Sequence, residues 1–312
     1  MSVARVAGHP DYSSTGTSDF IPEVWSSRLV EKLYDATFYN EICNTNYEGE
    51  IKDSGDKVII RTVPTVTVNT YDKGQKLTYE RLESPSIELL IDQGYYWALT
   101  VDDVDAWQSD LQLLDLWSAD AAQQLKKTVD ENMLKYPFYP SALCDSDNYG
   151  ATAGRISSAF NLGATSGAAV QFTANTALDL LVDCGTVLDE QNVPEDGRFI
   201  VLPAWAVNRI KKSDIKDASL TGDGKSVLRN GRVGVIDRFT VYMSNLVYSL
   251  TDTYVSWHCL FGHKMGFTFA QQITKTESLR AETTFGDLIR GLLVFGRKIT
   301  NDNCLGDLYI KQ

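Results

Sequence analysis

With 43% apolar content over 312 residues, the chain can bury a large core, which excludes a disordered tail. Forty-one acidic residues against 29 basic ones give a net charge of −12 with no basic block, which argues against a dedicated nucleic-acid binder. No apolar run approaches the roughly 20 residues of a membrane span. The opening MSVARVAGHPDYSSTGTSDF also lacks the apolar centre of a signal peptide, and five scattered cysteines without a CxxC pair fit a reducing cytoplasm.

Residues up to about Thr17 are rich in Ser, Thr and Gly and read as an arm. A short helix is expected within Ile21–Ile42, with Pro22 in its first turn and Trp25, Leu29 and Leu33 on one face. Such a helix cannot bury its own stripe and must dock on the body or on another chain. From Lys57 the period changes to two, through KVIIRTV and TVTVNT, and Thr70 to Lys76 supplies turn chemistry. The run Ser86–Val101 returns, with Ile87, Leu89 and Ile91 on one face and Tyr95, Trp97, Leu99 and Val101 in the next alternation. A long hairpin is predicted. Pro64 and Pro85 interrupt its arms, so its outer half is poorly supported by its own chain and suited to lie on a neighbour.

The spine follows. Val104, Trp107, Leu111, Leu114, Trp117, Ala121, Leu125, Val129 and Met133 recur at gaps of three and four, which predicts one apolar stripe on a helix from about Asp110 to Tyr136. At 1.5 Å per residue it spans roughly 40 Å, and Pro137 ends it. Beyond a loop over Ser141–Ser166, a helix capped by Asn175 or Thr176, a buried strand Phe199–Leu202 and a helix to Lys212 suggest an α/β unit. Asn230-Gly231 reads as a hairpin turn, and strands are expected at Val233–Ile236, Phe239–Met243 and Tyr254–Phe261. The tail reads as further strands in MGFTFA, QITKTESLR and IRGLLVFGRKIT.

A search for chemistry finds little. Gly222-Asp223-Gly224-Lys225-Ser226 resembles the end of a phosphate loop, but Ser219 stands where the pattern needs glycine and no buried strand precedes it. Asp102, Asp103 and Asp105 could hold a metal, although carboxylates at a helix start are explained by the macrodipole. His258, Cys259 and His263 have metal-like spacing without a fourth ligand nearby, and no Gly-x-Ser-x-Gly elbow exists. The reading is of a protein that is not an enzyme and needs no cofactor.

The order of these pieces resembles the major capsid proteins of tailed bacteriophages, whose fold was first described in a Hong Kong phage and is shared with herpesviruses and encapsulins. The segments that carry the resemblance are IPEVWSSRLVEKLYDATFYNEICNTNYEGEIKDSGDKVIIRTV, YDKGQKL, LLIDQGYYWALTVDDVDAWQSD, DASLTGDGKSVLRNGRVGVIDRFTVYMSNL and GLLVFGRKITNDNCLGDLYI. Many relatives carry Gly before the Phe of the central hairpin, where this chain has Arg238.

The resemblance implies an α+β fold divided into an N-terminal arm (1–50), an extended hairpin loop (51–101), the spine helix of a peripheral domain (102–136) and an α/β axial domain (137–250). C-terminal strands (251–312) would return to the peripheral domain. It implies a structural protein of the virion, assembled in the bacterial cytoplasm into pentamers and hexamers of an icosahedral shell around double-stranded DNA. Its partners would be itself, a separate scaffolding protein, a portal, DNA held without sequence specificity and optionally a decoration protein, with no membrane. Trp25, Leu29, Leu33, Tyr71, Lys73 and Lys76 are the expected inter-subunit contacts. Two alternatives stand beside this: an encapsulin-like cellular compartment, and a nucleotide-dependent enzyme using Gly222–Ser226.

Overall fold

A computed structural model describes residues 38–46, 57–103, 113–165, 167–213, 235–282 and 284–312. The arm helix stripe, the Gly222–Ser226 segment and the Asn230-Gly231 turn lie outside them. The first described element is a single helical turn, α1 (Tyr39–Ile42), followed by β1 (Lys57–Arg61) and β2 (Ser86–Leu90). Next come β3 (Gln93–Asp102) and the spine α2 (Leu113–Lys135). The α/β unit contains β4 (Val170–Gln171), α3 (Ala177–Glu190), β5 (Arg198–Leu202), α4 (Ala204–Lys212), β6 (Val235–Ile236), β7 (Phe239–Met243) and β8 (Ser249–Thr251). The chain closes with β9 (Val255–His263), β10 (Phe267–Arg280), β11 (Gly286–Ile299) and β12 (Leu305–Lys311).

Three sheets result: β1 with β2, the order β10-β11-β3, and a seven-stranded sheet in the order β4-β12-β9-β5-β7-β6 with β8 on β9. The three-stranded sheet lays one face on α2. Val129 and Met133 of the helix are buried there, and the Asn132 amide donates to the Tyr95 hydroxyl (2.7 Å). Arg297 of β11 donates to the Asn132 carbonyl (2.7 Å) while its guanidinium lies 4.4 Å from the centre of the Tyr136 ring. In the larger sheet every residue of β5 is buried, as a short apolar run with both faces covered should be. One continuous core runs through both units, from Ile42 and Met133 to Leu181, Phe199 and Leu308.

The hairpin pairs only over Lys57–Arg61 and Ser86–Leu90, so its outer half is unpaired, as its two prolines led one to expect. Three expectations are corrected. Residues 93–102, expected to continue the hairpin, pair with β11 instead. MGFTFA and QITKTESLR are one 14-residue strand, β10, and its register shift between Gln271 and Ile273 explains why the pattern read as two. Residues 251–312 do not all return to the spine: β10 and β11 do, whereas β9 and β12 complete the seven-stranded sheet.

The turn before Phe239 shows why glycine is expected there. Asp237 (φ 45°) and Arg238 (φ 67°) both adopt the left-handed conformation that a two-residue hairpin requires. Arg238 is held by ion pairs to Asp189 (2.9 Å) and Glu195 (3.0 Å). Asp189 also receives the buried Arg198 (2.7 Å), so one carboxylate ties the end of α3 to β5 and to this turn. Burial pushes the Asp189 pKa up, but the two guanidinium hydrogen bonds win and hold it below the usual range.

Candidate assembly interface

Beyond Thr62 the two arms of the hairpin form no ladder. A clasp closes its base: the Thr62 amide and hydroxyl both donate to the Pro85 carbonyl (3.0 and 2.8 Å), and the Ser84 hydroxyl donates to the Thr62 carbonyl (2.6 Å). Farther out, the Thr67 amide donates to Glu80 (3.3 Å), and the tip turns at Asp72–Gln75 with Gly74 at φ 92°. Val63, Val68 and Tyr79 are 94, 93 and 89% exposed, values that leave these apolar side chains without any covering element. Tyr71 is exposed beside Lys73 and Lys76, as the sequence suggested. Among the described residues neither lysine has an ion-pair partner, so their charges are available at the surface.

The protrusion is fastened to the body at its root. Ile60, Leu89 and Ala270 form a small separate core between hairpin and β10. Gly296 lets the chain leaving β2 cross β11 closely, because a β-carbon there would lie 2.3 Å from the Leu90 carbonyl oxygen. Among the described residues nothing comparable supports residues 62–85.

A second surface is the spine stripe itself. Its C-terminal half is core, but Trp117 is 40% exposed and Leu125 only partly buried. Leu125 borders a groove of about 200 Å³ with Trp97 and Leu293, and Tyr39 of α1 stands at the same groove. The segment containing α1 is anchored here by two devices that sequence reasoning missed. The Asp130 carboxylate accepts the backbone amides of Phe38 (3.1 Å) and Tyr39 (3.2 Å). Asn44 forms a parallel bridge with Thr268, its amide donating to the Phe267 carbonyl (2.7 Å). Burial pushes the Asp130 acid up to about 6, against the lowering effect of the two amides. Its only sequence signal was an acid next to Val129 in the stripe.

The suspected chemical groupings have structural roles among the described residues, outside which Asp105 lies. Asp103 pairs with Arg280, which also binds Asp287 (3.1 Å), and this knot ties the end of β10 to the start of the spine segment. His258 meets Asp307 at 2.6 Å beneath the Tyr309 ring, and burial raises the Asp307 acid while the His258 hydrogen bond opposes it. His263 uses both ring nitrogens locally, with the Asp196 carbonyl (2.7 Å) and the Met265 amide (3.1 Å). Cys259 is fully buried and burial pushes its thiol well up, the reverse of an activated nucleophile. Among the described residues no group of histidine, cysteine and acidic side chains could hold a metal ion.

No family model and no curated protein matches the sequence. The fold, however, has counterparts among solved structures. One from Mycobacterium phage Che8 is 26% identical, with a TM-score of 0.75 over 94% of this chain and 98% of that one. The capsid structure of cyanophage P-SCSP1u is 16% identical, with a TM-score of 0.66 over 98% and 97% of the two chains. The capsid of a native GTA particle is 12% identical, with a TM-score of 0.68 over 97% and 99%. The likeness in each case runs through nearly the whole length of both chains.

Proposed function

We infer that this chain, a major capsid protein of the tailed-phage type, builds the head shell by lending its hairpin to a neighbouring subunit. The observation that carries this is the protrusion over residues 62–85, whose apolar side chains are exposed and whose backbone has no ladder. A surface of that kind on a folded domain marks a contact to be covered. Tyr71, Lys73 and Lys76 sit at its tip and are the proposed contacts. Trp25, Leu29 and Leu33 serve the same purpose in the arm. An arm (1–50), the extended hairpin, a peripheral part of the spine helix with β3, β10 and β11, and an axial part that includes β9 and β12 are working parts of the subunit in that shell.

Heterologous rings of five and six subunits then join into a closed shell, and many modest contacts per subunit supply its strength. A separate scaffolding protein, a portal and double-stranded DNA held without sequence specificity complete the partner set. An acidic subunit suits such a container, since phosphates are not gripped during filling and release. The protein has no enzymatic role of its own in this reading. Neither the encapsulin-like compartment nor the nucleotide enzyme gains support from the fold comparisons.

The test is electron microscopy and sedimentation of the purified chain, alone and coexpressed with its scaffolding partner. Closed icosahedral shells are expected. Monomers under every condition would refute the reading.

A further inference from the structure

A cleft between α2 and the β7–β8 loop takes no part in the surfaces described so far. It has a volume of about 420 Å³ and is lined by Lys127, Glu131 and Lys135 on the helix and by residues 245–249 opposite. The Lys135 ammonium stands 4.5 Å from the centre of the Tyr139 ring and 5.6 Å from that of Tyr248. Among the described residues no carboxylate pairs with it. Cation–π contacts hold a lysine in place but leave its three hydrogen-bond donors to seek an acceptor. Lys135 brings a cation into this cleft on a subunit whose net charge is −12. Tyr139 beside it is 54% exposed, and Leu246 and Tyr248 line its wall, so an apolar flank accompanies the charge.

We propose that this cleft is a second subunit contact, one that receives a carboxylate side chain from another copy of the chain. The inference rests on the reading of the chain as a shell former. With 41 acidic and 29 basic residues, copies repel on average, and a cation that meets an acid relieves that repulsion at a contact. Lys135 is such a cation: ordered by two rings, set in a concavity and unpaired with any acid among the described residues. The occupant must be an anion carrying acceptor atoms and small enough for a few side chains to fill the space. A nucleic-acid duplex is too broad for it, and Glu131 in the wall would repel a run of phosphates. A protruding acidic peptide fits, with the Tyr139 and Tyr248 rings shielding the ion pair from water.

The experiment uses full-length chain in assembled shells, with a photo-cross-linking residue at Asn245 and a mixture of isotopically labelled and unlabelled subunits. The expected product joins Asn245 to an Asp- or Glu-containing peptide of a different copy. Links only within one copy, or only to DNA, would overturn the proposal. In parallel, Lys135→Glu should lower shell yield by about tenfold or more, equivalent to ~1.4 kcal/mol, with a melting curve lowered only slightly by the lost ring contacts, and Lys135→Met by less. Wild-type yields from both variants would also overturn it while leaving the capsid reading intact. Failure of the wild-type chain to form shells would sink that reading and this contact together. Normal shells of Lys135→Glu that fail to retain DNA would assign the cleft to nucleic acid instead.

Discussion

Asp130 offers the sharpest test of how the arm is held. Its carboxylate is 1% exposed and accepts two amides from a segment about ninety residues away in sequence. The acid sits at about 6, above the ordinary value near 3.9. The folded state therefore binds a proton more readily than the unfolded chain, and the contribution is fully present below about pH 4 and lost as pH rises through about 6. A difference of this size corresponds to roughly 2–3 kcal/mol, less whatever water penetration relieves. Asp130→Asn keeps an acceptor and removes the titration. It should be at least as stable as wild type at pH 7.5 and should lose the pH slope between about 4 and 6.5. Asp130→Ala leaves two buried amides without an acceptor and should cost about 2–4 kcal/mol. Urea titrations across pH, with hydrogen exchange at the Phe38 and Tyr39 amides, measure both effects. Other buried acids, Asp307 among them, also titrate, so the quantity to read is the difference between wild type and the Asp130→Asn variant. An unchanged slope in Asp130→Asn, or a cost below ~0.5 kcal/mol in Asp130→Ala, would refute the latch.

Lys73→Glu combined with Lys76→Glu should leave the melting curve unchanged, because exposed charges contribute little within a subunit. Microscopy should show folded subunits or capsomers that fail to close, and normal shells would count against the tip contact. Arg238→Ala should lose its ion pairs while keeping a strained left-handed turn, at about 1–2 kcal/mol by thermal unfolding, whereas Arg238→Gly should cost less. If Ala is tolerated better than Gly, the turn is not strained. Gly296→Ala should cost about 1–3 kcal/mol, since the added methyl meets backbone at 2.3 Å and no side chain can yield. A neutral result would mean that the chain after β2 shifts freely.

Periodicity made the elements legible and left their partners hidden. Alternation from Ser86 to Val101 correctly marks strand, yet nothing local says that the chain abandons β1 after Leu90 and pairs Tyr95 with Leu293. A period-2 pattern reports which face is buried, whereas the partner is set by long-range closure. The stripe on α2 was likewise visible, but its spacing cannot distinguish burial under the same chain, as at Val129 and Met133, from partial exposure, as at Trp117. Proline was more informative: Pro64 and Pro85 marked the outer half of the hairpin as unpaired, and pairing ends beside Pro85, because a missing donor is a local fact. Asp130 and Asp189 were illegible for the opposite reason, since an acid on a helix looks solvated until its distant amides or guanidinium groups are seen.

The separation between what folds the subunit and what it exposes follows from the same geometry. Folding draws on one core that passes from the spine through β5 and β12, and residues 62–85 contribute nothing to it. At about 25 cal/mol per Å² of apolar surface, covering Val63, Val68 and Tyr79 would return several kcal/mol that the isolated chain cannot recover. Spread along a slender protrusion, these side chains form no broad apolar patch that would drive indiscriminate association. The subunit can thus stay unassembled until a neighbour presents a complementary surface. The root then matters more than the tip for aim: Ile60, Leu89 and the Gly296 crossing fix the direction in which the protrusion leaves the body. A root fixed on the body with an outer half that forms no ladder would let one sequence meet neighbours at slightly different angles, as the proposed shell of fivefold and sixfold rings requires.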